Sequence, residues 1–211
     1  MTVFITPSLK RRLDRAAVIL LCLLGMGVAM AGGIEPKSAS LVADDRGQAL
    51  TAEFAIDLGP RLADAVEHGV PLNFRFEFDL TRKRRYWIDE HIASRVLDYR
   101  LSYHALTRQY RLSFGGLHQN FASLEEALQA LGRVAHLHVV DKQVLVTGET
   151  YHAAVRLSLD HTQLPKPLQV DSLADRDWRV EAQTLRWNFV PPAPGATTPE
   201  GEAGSAPRTN K

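Results

Sequence analysis

Cysteine is nearly absent from this 211-residue chain, and its absence removes two kinds of chemistry. The single thiol, Cys22, lies in an apolar opening segment, where Leu21 precedes it instead of the small residue that lipidation needs. The rest of the chain has no thiol nucleophile and no disulfide, although the compartment predicted below would permit one. We therefore expect a hydrophobic core alone to stabilise the fold.

The sequence also lacks the short motifs of common covalent and phosphate chemistry. It contains no G-x-S-x-G, S-x-x-K, G-x-G-x-x-G or P-loop pattern. Neither a nucleophile elbow nor a glycine-rich phosphate cradle is therefore indicated. These absences favour a non-enzymatic protein, with no catalytic residue and no cofactor.

An excess of one charge is missing as well. The formal net charge is +1, and the basic excess lies in residues 1–31, which leaves 21 basic and 23 acidic residues in the rest of the chain. Nucleic-acid-binding domains concentrate positive charge on one surface. The composition therefore predicts no nucleic acid partner.

An export segment is present at the beginning of the chain. A basic stretch ends at Arg15, and an apolar run over residues 16–31 closes on Ala29-Met30-Ala31, the small-x-small pattern of signal peptidase. We expect residues 1–31 to be a signal peptide cleaved after Ala31. The alternative is an uncleaved inner-membrane anchor through residues 16–31, a run somewhat short for a span of about 20 residues. Both alternatives predict an exported, periplasmic protein.

Composition also divides the remainder of the chain. Residues 191–211 are rich in Pro, Gly and Ala and lack large apolar side chains, which is typical of a disordered tail. Residues 32–36 are interpreted as a linker, and residues 37–190 as a single folded domain.

Alternation of apolar and polar residues dominates that domain. Apolar residues recur at every second position over 50–58, 70–80 and 151–159, and over the shorter runs 178–182 and 185–189. Two short helices are predicted. One covers residues 59–69 with Pro60 at its start, and the other is opened by a Ser123/Glu126 capping box and stopped by Gly132.

A near-repeat, YRLSY at 99–103 and YRLSF at 110–114, raises the question of a duplicated binding unit. Two strands that pair across a short loop and bury the same face converge on one pattern, so we interpret the repeat as a β-hairpin. Together the strands predict an antiparallel β-sandwich, immunoglobulin-like in architecture, with the two helices in its connections.

A basic and aromatic segment is the sharpest candidate for binding. Four cations are followed directly by two aromatic residues: Arg82, Lys83, Arg84, Arg85, Tyr86 and Trp87. Such a hairpin tip suits an anionic membrane surface, where each cation contributes about 1 kcal/mol, or an acidic protein partner. The alternative is a solvated turn whose Trp87 packs back into the core.

A second candidate is a weak metal site at His136 and His138. Residues two apart on a strand project from one face, about 6.5–7 Å apart, and can chelate Zn or Cu when a third ligand arrives. His118, His152 or Asp141 could supply that ligand. The alternative is a pair of surface histidines opposite buried Leu137 and Val139.

Three segments in order carry a family resemblance: GVPLNFRFEFDLTRKRRYWIDE, YRLSYHALTRQYRLSFGGLHQNFASLEEAL and LPKPLQVDSLADRDW. They resemble the DUF4390 family, a set of exported proteobacterial proteins without an established activity. The resemblance brings no catalytic residue. It implies a genomic neighbourhood that holds a sensor histidine kinase of the nitrogen-regulation type and its response regulator.

Two hypotheses of different classes follow. The first is a non-enzymatic envelope module for protein interaction or signalling, linked to a membrane sensor histidine kinase. The second is a periplasmic metal- or small-ligand-binding protein, or a metal-dependent hydrolase, that uses the His136 and His138 face.

Overall fold

The computed structural model describes residues 32–83, 89–166 and 180–192. The chain divides into residues 1–30 and 31–211, and every described residue belongs to the second unit. Within the described ranges, no helix combines the length and the apolar composition needed to cross a membrane.

The described residues form a mainly β structure of strands and two short helices. In chain order the elements are β1 (Gly33–Ala43), β2 (Gly47–Asp57), α1 (Gly59–Glu67), β3 (Leu72–Arg82), β4 (Glu90–His104), β5 (Gln109–Phe114), β6 (Leu117–Phe121), α2 (Leu124–Leu131), β7 (Arg133–Asp141), β8 (Tyr151–Leu159), β9 (Glu181–Ala182) and β10 (Thr184–Phe189). Short 3₁₀ turns cover Lys142–Val144 and His161–Gln163.

The strands form two sheets with a shared core. One sheet has the order β7-β2-β1-β9 and the other β10-β8-β3-β4-β5-β6. The described pairings are antiparallel, apart from a two-residue parallel pairing of β1 with β9. The Phe54 ring of β2 meets the Phe76 ring of β3 edge-on, with centroids 6.0 Å apart. The predicted fold class, a mainly antiparallel β-sandwich with two helices, is confirmed.

β3 lies inside its sheet and alternates between buried and outward-facing residues. It pairs with β4 on one side and β8 on the other, and its inward positions are almost completely buried: Leu72, Phe74, Phe76, Phe78 and Leu80. The residues between them face outwards and are polar. A strand with one apolar and one polar face can be covered on one side and solvated on the other.

Both predicted helices are present. The Ser123 hydroxyl accepts a hydrogen bond from the Glu126 N–H (3.2 Å), and the Glu126 carboxylate accepts one from the Ala122 N–H (3.1 Å). These bonds satisfy main-chain donors that a helix start leaves unpaired. Pro60 lies in the first turn of α1, and Gly69 beyond its end has φ +88°.

The YRLSY and YRLSF segments pair with each other, as predicted. Tyr99 lies opposite Phe114, Leu101 opposite Leu112, and Tyr103 opposite Tyr110. The Tyr99 and Phe114 rings stack with centroids 5.1 Å apart. The repeat therefore reflects two paired strands that share one apolar face, buried at Leu101 and Tyr110.

Two parts of the fold differ from the sequence interpretation. Residues 33–36, assigned to a linker, begin β1, where fully buried Ile34 pairs with Ile56. The linker assignment is therefore wrong for residues 33–36. The sequence did not indicate a strand here because a register shift between Pro36 and Ser38 breaks the regular alternation of β1. A second difference is β6, an unpredicted strand that follows a two-residue turn at Gly115–Gly116. A Gly-Gly pair between apolar residues is a hairpin pattern that could have identified it.

The end of the domain agrees less completely with the prediction. Of the described part of the 178–182 run, Glu181 and Ala182 form a strand and Val180 does not, and Trp178 lies outside the described residues. Pro191, assigned to the tail, is buried, and residues 193–211 lie outside the described ranges.

Candidate functional site

The basic segment is carried by the connection between β3 and β4, two of the longer strands. Arg82 and Glu90 are the last cross-strand pair before that connection. The Arg82 guanidinium donates to one Glu90 carboxylate oxygen from Nη2 (2.5 Å) and from Nε (3.1 Å). Both side chains are mostly buried, with exposed fractions of 24% and 33%.

This ion pair changes the role of Arg82. The hydrogen bond to Glu90 raises the pKa of Arg82, and partial burial lowers it. The negative charge of Glu90 also raises it. A cation held by a carboxylate at a strand end is a structural clamp. Arg82 is therefore part of the base of the hairpin, whereas the next cation, Lys83, is exposed.

The rest of the predicted tip has only a partial structural description. Lys83 is exposed, and Arg84, Arg85, Tyr86 and Trp87 lie outside the described residues. In chain order they follow Arg82 and precede Glu90, the last cross-strand pair of β3 and β4. Whether Trp87 packs on the core thus stays a prediction.

The two histidines of the predicted metal site do not lie on a regular strand. Leu50 pairs with Leu137 and Ala52 with Val134, so Ala135 and His136 both lie opposite Thr51. His136 has φ +50°, the left-handed region that few side chains adopt. A bulge of this kind interrupts the alternation on which a shared face depended.

His138 contacts two carboxylates from different segments. Its Nε2 lies 2.9 Å from Asp141 Oδ1, and its Nδ1 lies 3.7 Å from Asp44 Oδ2. The pKa of Asp44 is lowered chiefly by the hydrogen bond from the Gly47 N–H. The Arg46 N–H and the charges of His138 and Arg46 lower it further, while desolvation acts in the opposite direction. His138 thereby connects the turn between β1 and β2 to the end of β7.

These contacts do not amount to a metal centre. In the ranges 32–83, 89–166 and 180–192, no group of three or more His, Cys, Asp or Glu residues is arranged to hold an ion. Of the proposed third ligands, Asp141 does meet His138, but His118 and His152 belong to β6 and β8 of the other sheet. His152 Nδ1 instead lies 2.8 Å from Asn188 Oδ1.

Comparison with known proteins gives one family. A model described as "Domain of unknown function (DUF4390)" matches residues 31–188 of the 211. The chain belongs to the DUF4390 family. No curated protein and no solved structure matches it.

The DUF4390 match and the folded domain nearly coincide. The matched range begins two residues before β1 and ends one residue before the end of β10. The signal-peptide prediction, with Ala29 and Ala31 at its cleavage site, falls outside the described residues. So does the anchor alternative over residues 16–31.

The outer face of the larger DUF4390 sheet is polar and carries charges of both signs. The Arg75 Nε donates to Asp98 Oδ1 across β3 and β4 (2.9 Å), which raises the pKa of Arg75. Arg156 lies directly opposite Glu77. Opposite charges on neighbouring strands stabilise a solvated sheet face. Local sequence patterns do not reveal these pairs because the partners are distant in the chain.

Proposed function

We propose that this DUF4390 protein is a non-enzymatic exported envelope protein that acts as a protein-interaction or signalling accessory module. Its contact surface is the basic–aromatic hairpin, defined as residues 83–87 between β3 and β4. The supporting observation is the Arg82–Glu90 clamp, which closes the base of this hairpin on two paired strands. Binding residues are typically carried by loops on a rigid scaffold.

The basic–aromatic hairpin begins at a strand that is held firmly in the fold. β3 is packed into the core along its whole inner face and is paired on both sides. A connection that leaves such a strand has a defined starting point, so less ordering entropy is lost when it meets a partner. The hairpin residues themselves are three cations and two aromatics: Lys83, Arg84, Arg85, Tyr86 and Trp87.

That composition defines the chemistry of the partner. Consecutive cations favour an acidic surface and raise the association rate with it, and Tyr and Trp are enriched in the central contacts of protein interfaces. We therefore propose an acidic envelope protein as the partner. The kinase gene in the usual neighbourhood of the family ranks the extracytoplasmic part of a sensor histidine kinase first.

The metal- or ligand-binding alternative has less support from the described residues. It depends on His136 and His138 acting together, whereas a bulge interrupts the strand at His136 and His138 contacts Asp44 and Asp141. Metal analysis of the purified protein tests this alternative directly. A stoichiometric content of zinc or copper, lost in His136→Ala and His138→Ala, would favour it over the interaction module.

The interaction module is tested by crosslinking in living cells. A photoreactive residue at Tyr86 is expected to capture a membrane protein with an acidic periplasmic surface, and the same residue at exposed Gln163 is the position control. Changing Lys83, Arg84 and Arg85 to Ser, with Arg82 kept, should abolish most of that capture while the fold persists.

The matched charge control changes three exposed cations elsewhere: Lys142, Lys166 and Arg186. These substitutions to Ser remove the same charge and should leave the capture intact. Equal loss from both triple variants would show that net charge, rather than the hairpin, governs binding. Capture of anionic lipid alone from Tyr86 would replace the protein partner with a membrane surface.

A further inference from the structure

β6 forms one edge of the six-stranded sheet, and within residues 32–83, 89–166 and 180–192 this edge lacks the usual protection against pairing. The strand reads LHQNF, with no charged residue, no proline and no register shift against β5. Exposed edges are normally blocked by charges, prolines or bulges. The opposite edge of the same sheet, β10, carries Arg186 and leads into Pro191 and Pro192.

The register of the β5–β6 hairpin determines which main-chain groups face outwards. Phe114 and Leu117 flank the two-residue turn, so they form a hydrogen-bonded pair, and such pairs recur at every second residue. Leu117, Gln119 and Phe121 therefore bond to β5. His118 and Asn120 direct their N–H and C=O groups to the open edge.

One face of this edge continues an apolar row that ends in solvent. Phe114 lies opposite both Tyr99 and Leu117, and Leu117 is 75% exposed at the end of this row. A parallel row joins Tyr103, Tyr110 and Phe121, with the two tyrosine rings 4.9 Å apart. Each row stops at β6.

We propose that β6 pairs antiparallel with β6 of a second copy of this chain, about a two-fold axis at Gln119. In this register His118 lies opposite Asn120 of the partner subunit, and these two residues exchange both main-chain hydrogen bonds. Leu117 lies opposite Phe121 of the partner subunit in a non-hydrogen-bonded pair, where side chains approach most closely. The two sheets become one continuous sheet.

The strand itself argues for a second copy as the occupant. Its apolar ends and polar centre are symmetric about Gln119, so an inverted copy matches apolar to apolar and polar to polar. Because β6 contains no Lys, Arg, Asp or Glu, two copies meet without repulsion between such charges. The apolar row of Tyr99, Phe114 and Leu117 in one copy is then continued by the row of Phe121, Tyr110 and Tyr103 in the other copy.

A thiol at the axis tests this register. In the full chain with Cys22→Ser, Gln119→Cys places two thiols opposite each other, with Cα atoms about 4.5–5.5 Å apart, which a disulfide can span. We expect mild oxidation to give a covalent dimer. Gln163→Cys, exposed on a 3₁₀ turn, is the control and should give no covalent dimer under the same oxidation.

Charges at the axis give a second test that does not depend on oxidation. Gln119→Lys and Gln119→Glu should each weaken self-association roughly tenfold in analytical ultracentrifugation, and an equal mixture should restore it as a heterodimer. Circular dichroism verifies that both variants are folded. A wild-type chain that stays monomeric, or charge variants that dimerise unchanged, would overturn the proposal.

The two proposals fail separately. Self-pairing uses β6, whereas partner capture uses the basic–aromatic hairpin between β3 and β4. The Gln119 variants should therefore keep the Tyr86 crosslink, and the Lys83, Arg84 and Arg85 variant should keep the dimer.

Discussion

At the scale of single residues, Gly132 ends a helix as predicted, but glycine is needed there for a different reason than the predicted one. The sequence predicts it as a helix stop, a role in which glycine commonly adopts positive φ. Its φ is −72°, a value open to other residues. Glycine is required because an added Cβ would lie 2.4 Å from the Phe54 carbonyl oxygen, and the Gly132 carbonyl accepts the Phe54 N–H at 2.8 Å.

We expect Gly132→Ala to destabilise the protein by about 1–3 kcal/mol, because the backbone of β2 and the end of α2 must move apart. Denaturant unfolding followed by circular dichroism measures this change. Gly33→Ala is the control, since nothing lies within 4 Å of a Cβ there, and it should stay within about 0.5 kcal/mol of wild type. Equal stability of the two variants would contradict the close-approach account.

Arg82 is a second residue whose role depends on a contact that is distant in the chain. In the sequence it is the first of four similar cations, and nothing local distinguishes it from the next three. Only the register of β3 with β4 brings Glu90 to its guanidinium. The sequence could therefore predict a basic segment, but could not show that Arg82 pairs with Glu90.

At the scale of elements, the turn between β1 and β2 is organised by a single carboxylate. Asp44 Oδ1 accepts from the Gly47 N–H (2.6 Å) and the Arg46 N–H (2.9 Å). An Asp side chain that bonds the main chain two or three residues ahead mimics a further turn of backbone. Because His138 lies beside Asp44, the same carboxylate also connects this hairpin to β7.

The stability of this turn should depend on acid pH. The folded-state pKa of Asp44 lies below its ordinary value of 3.8, chiefly because of the Gly47 N–H. The carboxylate therefore stabilises the fold above that ordinary value, and its contribution is lost as pH falls through the folded-state pKa. We expect Asp44→Asn to be less stable than wild type at about pH 7, and the difference to shrink by about pH 3.

Denaturant unfolding at both pH values measures the effect. The matched control is Asp45→Asn, which removes the same charge from the exposed neighbour of Asp44. A pH-independent difference between Asp44→Asn and wild type would show that the turn does not depend on the carboxylate charge.

At the scale of the whole domain, the two sheets share one hydrophobic core. That core includes residues from both sheets and from both helices. Phe54 and Phe76 contact each other across it, and the Arg95 Nε donates to the His138 carbonyl oxygen (3.3 Å) between β4 and β7. Residues joined in this way should unfold together.

Phe76→Ala tests that coupling. Phe76 is fully buried and contacts Phe54 of the opposite sheet, so its truncation should cost about 3–5 kcal/mol. Val96→Ala removes a side chain that is 55% exposed on the outer face, and should cost far less. Hydrogen exchange should report the same loss of protection in β2 and β3. A loss confined to one sheet would contradict a shared core.

The class of fold, most of the strands and both helices could be predicted from the sequence alone. Alternation in β3 and β8, the Ser123 capping box and the YRLSY–YRLSF hairpin all depend on residues close in the chain, and local patterns record them directly. The tertiary structure decided which of these segments became neighbours. It joined Arg82 to Glu90, His138 to Asp44 and Asp141, and Gly132 to Phe54, and it placed β6 last in the order of the six-stranded sheet. Such contacts depend on strand order and register, which are set by packing between segments distant in sequence.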